Sequence, residues 1–209
     1  MDIKGLVDRD LDELAARYLN GLNFKTSLKY SCLEQLLKFK HWMIQDKPRK
    51  VSFAKNFSIP IDHRIGLDLI INKIENGRGE IYRHQSRGLF NGNSKDLMFY
   101  DFGIHHLHLG IERDLKHKQM VNGTKKIVFV YINDDEAFFL KVDEHEKWHL
   151  KDFFKIIHRE RPDLIRHRII PVNEGDEYTD DEIKFIRKIG LNYSLKIDDV
   201  SGFVAQTYL

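Results

Sequence analysis

The sequence predicts an α+β fold, with N-terminal helices followed by a mostly antiparallel sheet and packed helices. Apolar residues recur at helical spacing through the first quarter of the chain. Residues 127–132, Ile-Val-Phe-Val-Tyr-Ile, form a strand-length run of β-branched and aromatic residues. Beyond it, strands alternate with short helices rather than stacking into an all-β array.

The elements follow in order. Asp8 can cap a helix carrying Leu11, Leu14, Ala15, Tyr18 and Leu19, stopped by Asn20-Gly21. Leu28, Leu33, Leu36, Leu37, Phe39 and Ile44 predict a second helix over about 27–45, with Pro48 past its end. Lys47-Pro48-Arg49-Lys50 reads as a basic loop. Ile65, Leu69, Ile70 and Ile74 predict a third helix, ended by Asn76-Gly77. Residues 76–95 hold Gly77, Gly79, Gly88 and Gly92 with Arg78, Arg83 and Arg87 between them, and read as a long loop able to close over a substrate. Residues 97–109 read as a strand or two short strands. The 127–132 and 137–142 segments predict a hairpin across Asn133-Asp134-Asp135. An amphipathic helix is expected over 148–158, carrying Leu150, Phe153, Phe154, Ile156 and Ile157, with Pro162 beyond. Thr179-Asp180-Asp181-Glu182 is a capping box opening a helix that Gly190 closes. A last hairpin is expected over 193–197 and 203–208, turning at Asp198-Asp199. The expected organisation is a helical region over 1–64 and an α+β catalytic domain over 65–209.

Composition narrows the function. A chain of 209 residues with 42% hydrophobic and 11% aromatic residues can build a core and is not disordered. Lys and Arg number 34 against 32 Asp and Glu, a net charge of +2, which excludes a globally basic nucleic-acid sleeve but not a local basic face. The single cysteine, Cys32, excludes a disulfide framework and a cysteine-based metal site. No secretory signal and no membrane span are read, so a cytoplasmic protein with no membrane partner is expected.

The chain holds 11 histidines, nine of them from His84 to His167. The densest segment is Ile104-His105-His106-Leu107-His108-Leu109. As a strand, it puts Ile104, His106 and His108 on one face and His105, Leu107 and Leu109 on the other. The leucines mark the second face as core, so His106 and His108 should project together into a cleft. His105 should lie on the buried side and need a hydrogen-bond partner.

Paired imidazoles suit two chemistries. One is acid–base catalysis near neutral pH, the requirement for metal-free RNA cleavage, in which one group takes the 2′-hydroxyl proton and another protonates the 5′-oxygen. His106 and His108 are the expected pair, with His84, His105 or His145 assisting. Arg83 and Arg87 are the expected phosphate ligands, with Arg113, Lys125 and Lys126 as further cations. Tyr82, Phe90, Phe99 and Tyr100 lie nearby in sequence and could stack bases. The other chemistry is a metal site of His106, His108 and Glu112, whose His-x-His-x-x-x-Glu spacing resembles the first cupin motif. Arg161 to His167 also fits a loose Arg-x-(4–6)-His pattern of all-helical endoribonucleases, interrupted by Pro162.

The layout of helices, His-bearing strand, hairpin, helix and last hairpin resembles the broad barnase, colicin and RelE-type ribonuclease superfamily over about 65–209. That resemblance implies a small metal-independent endoribonuclease, acting as a bacterial toxin or phage-defence effector on RNA, without a cofactor, and neutralised by a cognate antitoxin or immunity protein. A non-catalytic antitoxin or immunity-type interaction protein is the remaining reading.

Overall fold

The computed structural model describes residues 3–145, 150–166, 169–171, 178–189, 191, 193–196 and 201–205. Trp148, His149, His167, Gly190 and the expected Asp198-Asp199 turn lie outside them. The fold is α+β. No helix among the described residues is long and apolar enough to cross a membrane.

Helix α1, Ile3–Gly21, packs against α2, Cys32–Trp42. Ser31 and Glu34 form a capping box on α2 (Ser31 Oγ accepts the Glu34 N–H, Glu34 accepts the Ser31 N–H), so the helix begins five residues later than expected. It also ends early. The Gln85 side-chain amide donates to the Trp42 carbonyl at 2.9 Å and its oxygen accepts the Ile44 N–H at 2.8 Å, holding the chain extended from Met43. Strand β1, Lys50–Phe53, starts on the last residue of the expected basic loop. Helix α3, Arg64–Asn76, matches the third predicted helix.

The glycine- and arginine-containing stretch is not an open lid. It contains two 3-10 turns, Ile81–His84 and Arg87–Phe90. The Asp46 carboxylate accepts the Glu80 and Ile81 N–H groups, the Ser86 side chain caps the second turn, and Leu89 is 1% exposed. Leu89 joins Leu19, Phe24, Phe39 and Trp42 in a core between this segment and the first two helices.

The run from Leu97 is likewise not all strand. Helix α4, Leu97–Phe102, comes first, capped by Asp96 and closed by Gly103 at φ 69°, where the chain turns into β2, Ile104–His108. Any other residue at Gly103 would be strained. β3, Lys126–Ile132, and β4, Glu136–Glu144, form the predicted hairpin. The sheet order is β1-β4-β3-β2. β2 and β4 flank β3 antiparallel, with His106 opposite Phe129 and His108 opposite Ile127, whereas β1 runs parallel to β4.

Both sheet faces are covered, which is why β3 reads as an unbroken apolar run. Ile104, Ile127, Phe129, Phe138 and Leu140 pack with Met98, Phe102, Phe153, Phe154 and Ile157. The last three come from α5, Leu150–Glu160. Leu107, Leu109, Val128, Val130 and Phe139 pack on the opposite face against Leu67, Ile70 and Ile74 of α3. Beyond α5 come the short helix α6, Pro162–Ile165, the unpredicted strand β5, Ile169–Pro171, helix α7, Asp180–Lys188, and the predicted final hairpin of β6, Tyr193–Lys196, and β7, Ser201–Ala205. These strands form a second, antiparallel sheet ordered β5-β7-β6.

Candidate active site

The period-two pattern of β2 sets His106 and His108 on the sheet face that carries Phe129, with ring centroids 6.4 Å apart. His145 follows the end of β4, where its N–H donates to the Lys125 carbonyl at 3.1 Å. Its ring lies 5.5 Å from His106 and 5.6 Å from His108, nearly parallel to the latter. Three imidazoles therefore meet at one end of the sheet. Their exposure is graded: His106 is 5% exposed, His108 is half-buried and His145 is exposed. The expected open cleft over both strand histidines is thus a buried ring beneath two more accessible ones.

Each strand histidine has a partner that decides where its proton sits. The Asp96 carboxylate lies 3.1 Å from His106 Nδ1, with both side chains buried. Burial alone would push the Asp96 carboxyl up, but His106, the Phe99 N–H and the nearby His105 hold it below the ordinary carboxylate range. The contact is an ion-pair approach and not an aligned hydrogen bond, and an ionised Asp96 so placed favours the His106 tautomer protonated on Nδ1. His108 is the reverse. The Thr124 backbone N–H donates to His108 Nδ1 at 3.1 Å, which requires a lone pair there and puts the proton on Nε2. Burial, with His106, His145 and Arg87 close by, lowers the His108 pKa to about 4. His108 is a neutral N–H donor at physiological pH.

Arg87 is the arginine beside the trio. A side-chain carbon added at Gly123 would sit 3.6 Å from Arg87 Nη2 and 3.8 Å from His108 Cε1, so guanidinium and imidazole flank one backbone point. Arg87 also pairs with Asp114, a buried carboxylate that in addition accepts the Lys116 and His117 N–H groups at 2.8 Å.

The other expected site residues lie elsewhere. Arg83 is spent on structure: its Nε donates to Glu80 at 2.6 Å and its Nη1 to the Lys118 and Gln119 carbonyls. His84 bridges the Lys73 ammonium at 3.1 Å and the His108 carbonyl at 2.9 Å, and burial lowers its pKa to about 4. It steadies the end of β2 from behind rather than facing the trio. His105 points to the opposite strand face, packed on Phe99 at 4.5 Å with the Gln85 amide 3.5 Å from Nδ1, and burial lowers its pKa to about 3.

The set His106, His108 and Glu112 does not assemble. Glu112 lies on an exposed loop, and among the described residues no three His, Cys, Asp or Glu side chains converge where a metal ion could sit. His108 also has Nδ1 occupied by Thr124 and Nε2 protonated, leaving no lone pair for a metal.

Sequence reasoning missed Asp96 and Thr124. The Asp96 signal was present as a capping residue ahead of a six-residue stretch closed by Gly103, but Met-Phe-Tyr within that stretch reads as strand. Nothing local to Thr124 marks it. Comparison of the chain with models of protein families, with curated proteins and with solved structures finds no match.

Proposed function

We propose that this chain is a metal-independent endoribonuclease, acting in the manner of a bacterial toxin or phage-defence effector. The observation that carries the reading is the meeting of His106, His108 and His145 beside Arg87, with the Asp96 carboxylate on His106 Nδ1. A carboxylate behind an imidazole fixes its tautomer and its orientation, which is what a general base needs.

In this reading His106 Nε2 takes the proton of the 2′-hydroxyl. The 2′-oxygen attacks phosphorus, the bond from phosphorus to the 5′-oxygen breaks, and His145 protonates the departing oxygen. The products are a 2′,3′-cyclic phosphate and a 5′-hydroxyl. The protons return through solvent, which reaches the exposed His145. His108 is assigned a role different from the expected one. A ring kept neutral by burial, with Nδ1 held by the Thr124 N–H, is a poor acid but a good fixed donor, so its Nε2–H is assigned to a non-bridging phosphate oxygen alongside Arg87. A metal is not needed, because the nucleophile belongs to the substrate.

The test is incubation of total RNA with the purified protein in excess chelator. Cleavage is expected from the wild type and a loss of at least about 100-fold in His106→Ala and in His145→Ala. The exposed position of His145 keeps the second variant folded should the first fail. Expression in cells should arrest growth unless a neutralising partner is supplied. Full-speed cleavage by a folded His145→Ala protein removes it as the acid; no cleavage by the wild type removes the nuclease reading.

A further inference from the structure

The loop joining β2 to β3, residues 109–125, carries four Lys and Arg against two carboxylates. One of those carboxylates, Asp114, is 6% exposed and turned inward to Arg87 and two backbone N–H groups. Arg113, Lys116 and Lys118 are exposed, and none of them makes an ion pair among the described residues. Most surface lysines gain little by pairing, yet three unpaired cations on one fixed loop make a concentrated positive edge.

The loop is fixed rather than free. The Asp114 N–H donates to the Met120 carbonyl at 2.9 Å and the Met120 N–H to the His117 carbonyl at 2.7 Å. Arg83 grips the Lys118 and Gln119 carbonyls, and the Val121 N–H donates back to the Arg83 carbonyl at 2.9 Å. The same loop ends at the trio: Gly123 separates Arg87 from His108, and Thr124 donates to His108.

Building on the ribonuclease reading of that site, we propose that the β2–β3 loop is a cationic ledge carrying single-stranded RNA, so that the substrate is a polynucleotide and not a mononucleotide or a short phosphodiester. One phosphate at Arg87 fills the catalytic position. A neighbouring phosphate along a flexible strand falls on Arg113, Lys116 or Lys118, and Arg83 acts through the loop backbone as the residue that holds the ledge in place. A single strand is favoured because transesterification needs the 2′-oxygen in line with the departing oxygen, which a regular duplex does not allow.

The experiment compares a dinucleotide with a twelve-nucleotide RNA, for the wild type and for Lys116→Ala/Lys118→Ala, alongside binding of a non-cleavable 2′-O-methyl twelve-mer measured by fluorescence anisotropy. The wild type is expected to have a kcat/KM at least tenfold higher on the longer RNA. The double variant should lose about tenfold on the twelve-mer, keep its rate on the dinucleotide, and show a binding salt slope smaller by about 1.4, the value for two lost phosphate contacts on a single strand. Equal kcat/KM for both lengths, or a variant that loses both rates in the same proportion, overturns the ledge while leaving the nuclease reading in place. Binding of the analogue that depends on both lysines, with no cleavage of either RNA, leaves the ledge and overturns the nuclease.

Discussion

The Asp96 carboxylate accepts the Phe99 N–H at 3.2 Å and faces His106 Nδ1 at 3.1 Å, so one side chain starts α4 and orients a ring on β2. Asparagine caps helices as well as aspartate does but carries no charge. Asp96→Asn should therefore retain the native circular dichroism spectrum and lose about 100-fold or more in cleavage. Full activity in that variant would remove the carboxylate from the mechanism. His108 offers a sharper separation of roles. As a neutral donor it should be replaceable by an amide: His108→Gln is expected within about tenfold of wild type, while His108→Ala loses about 100-fold or more. Equal, severe loss in both would make His108 a proton donor instead. At this level the sequence carries the pairing of His106 with His108, because a strand's alternation depends on nothing but spacing. It does not carry their protonation, which is set by Thr124 and Asp96 on other elements.

Elements were readable where a signal was local. The β3–β4 hairpin and α3 follow from apolar periodicity and turn residues alone. Elements without a local signal were hidden, two of them for different reasons. Strand β1 is four residues long and exists through its parallel pairing with β4, far away in the chain. Helix α4 is built from residues that favour strands, and its caps and its burial of Met98 and Phe102 override that preference. The 3-10 turns over 81–90 were read as an open loop because the contacts holding them come from Asp46, Trp42 and Leu19. A prediction at this scale concerns the seat of β2. A side-chain carbon on Gly66 of α3 would collide with the Leu109 carbonyl, just past β2. Gly66→Ala should therefore lower the unfolding free energy by at least about 2 kcal/mol in urea titration and reduce cleavage with it. A neutral effect on both would show that α3 does not seat the end of β2.

For the molecule as a whole, the covered sheet has enclosed three neutral imidazoles. Their pKa values are lowered to about 4 for His84 and His108 and about 3 for His105, chiefly by burial. Unfolded, each titrates near about 6.5. Below that value the unfolded chain takes up protons that the folded chain refuses, so stability is fully present above about pH 6.5 and is lost as the pH falls toward 4. The depressed Asp96 carboxyl adds a further loss below that window, as the pH falls under about 4. One such histidine is worth roughly 3 kcal/mol between the two states. The urea midpoint should fall steeply between pH 7 and pH 4.5, and less steeply in His105→Gln; a flat midpoint would contradict the buried neutral rings. The chemistry itself is tested by the ends it leaves. RNA treated with the wild-type protein in excess chelator should accumulate new 2′,3′-cyclic phosphate ends matched by 5′-hydroxyls, and Asp96→Asn protein should leave almost none. New ends bearing 3′-hydroxyls and 5′-phosphates, or cyclic ends formed equally by wild type and Asp96→Asn, would contradict cleavage by a carboxylate-backed His106.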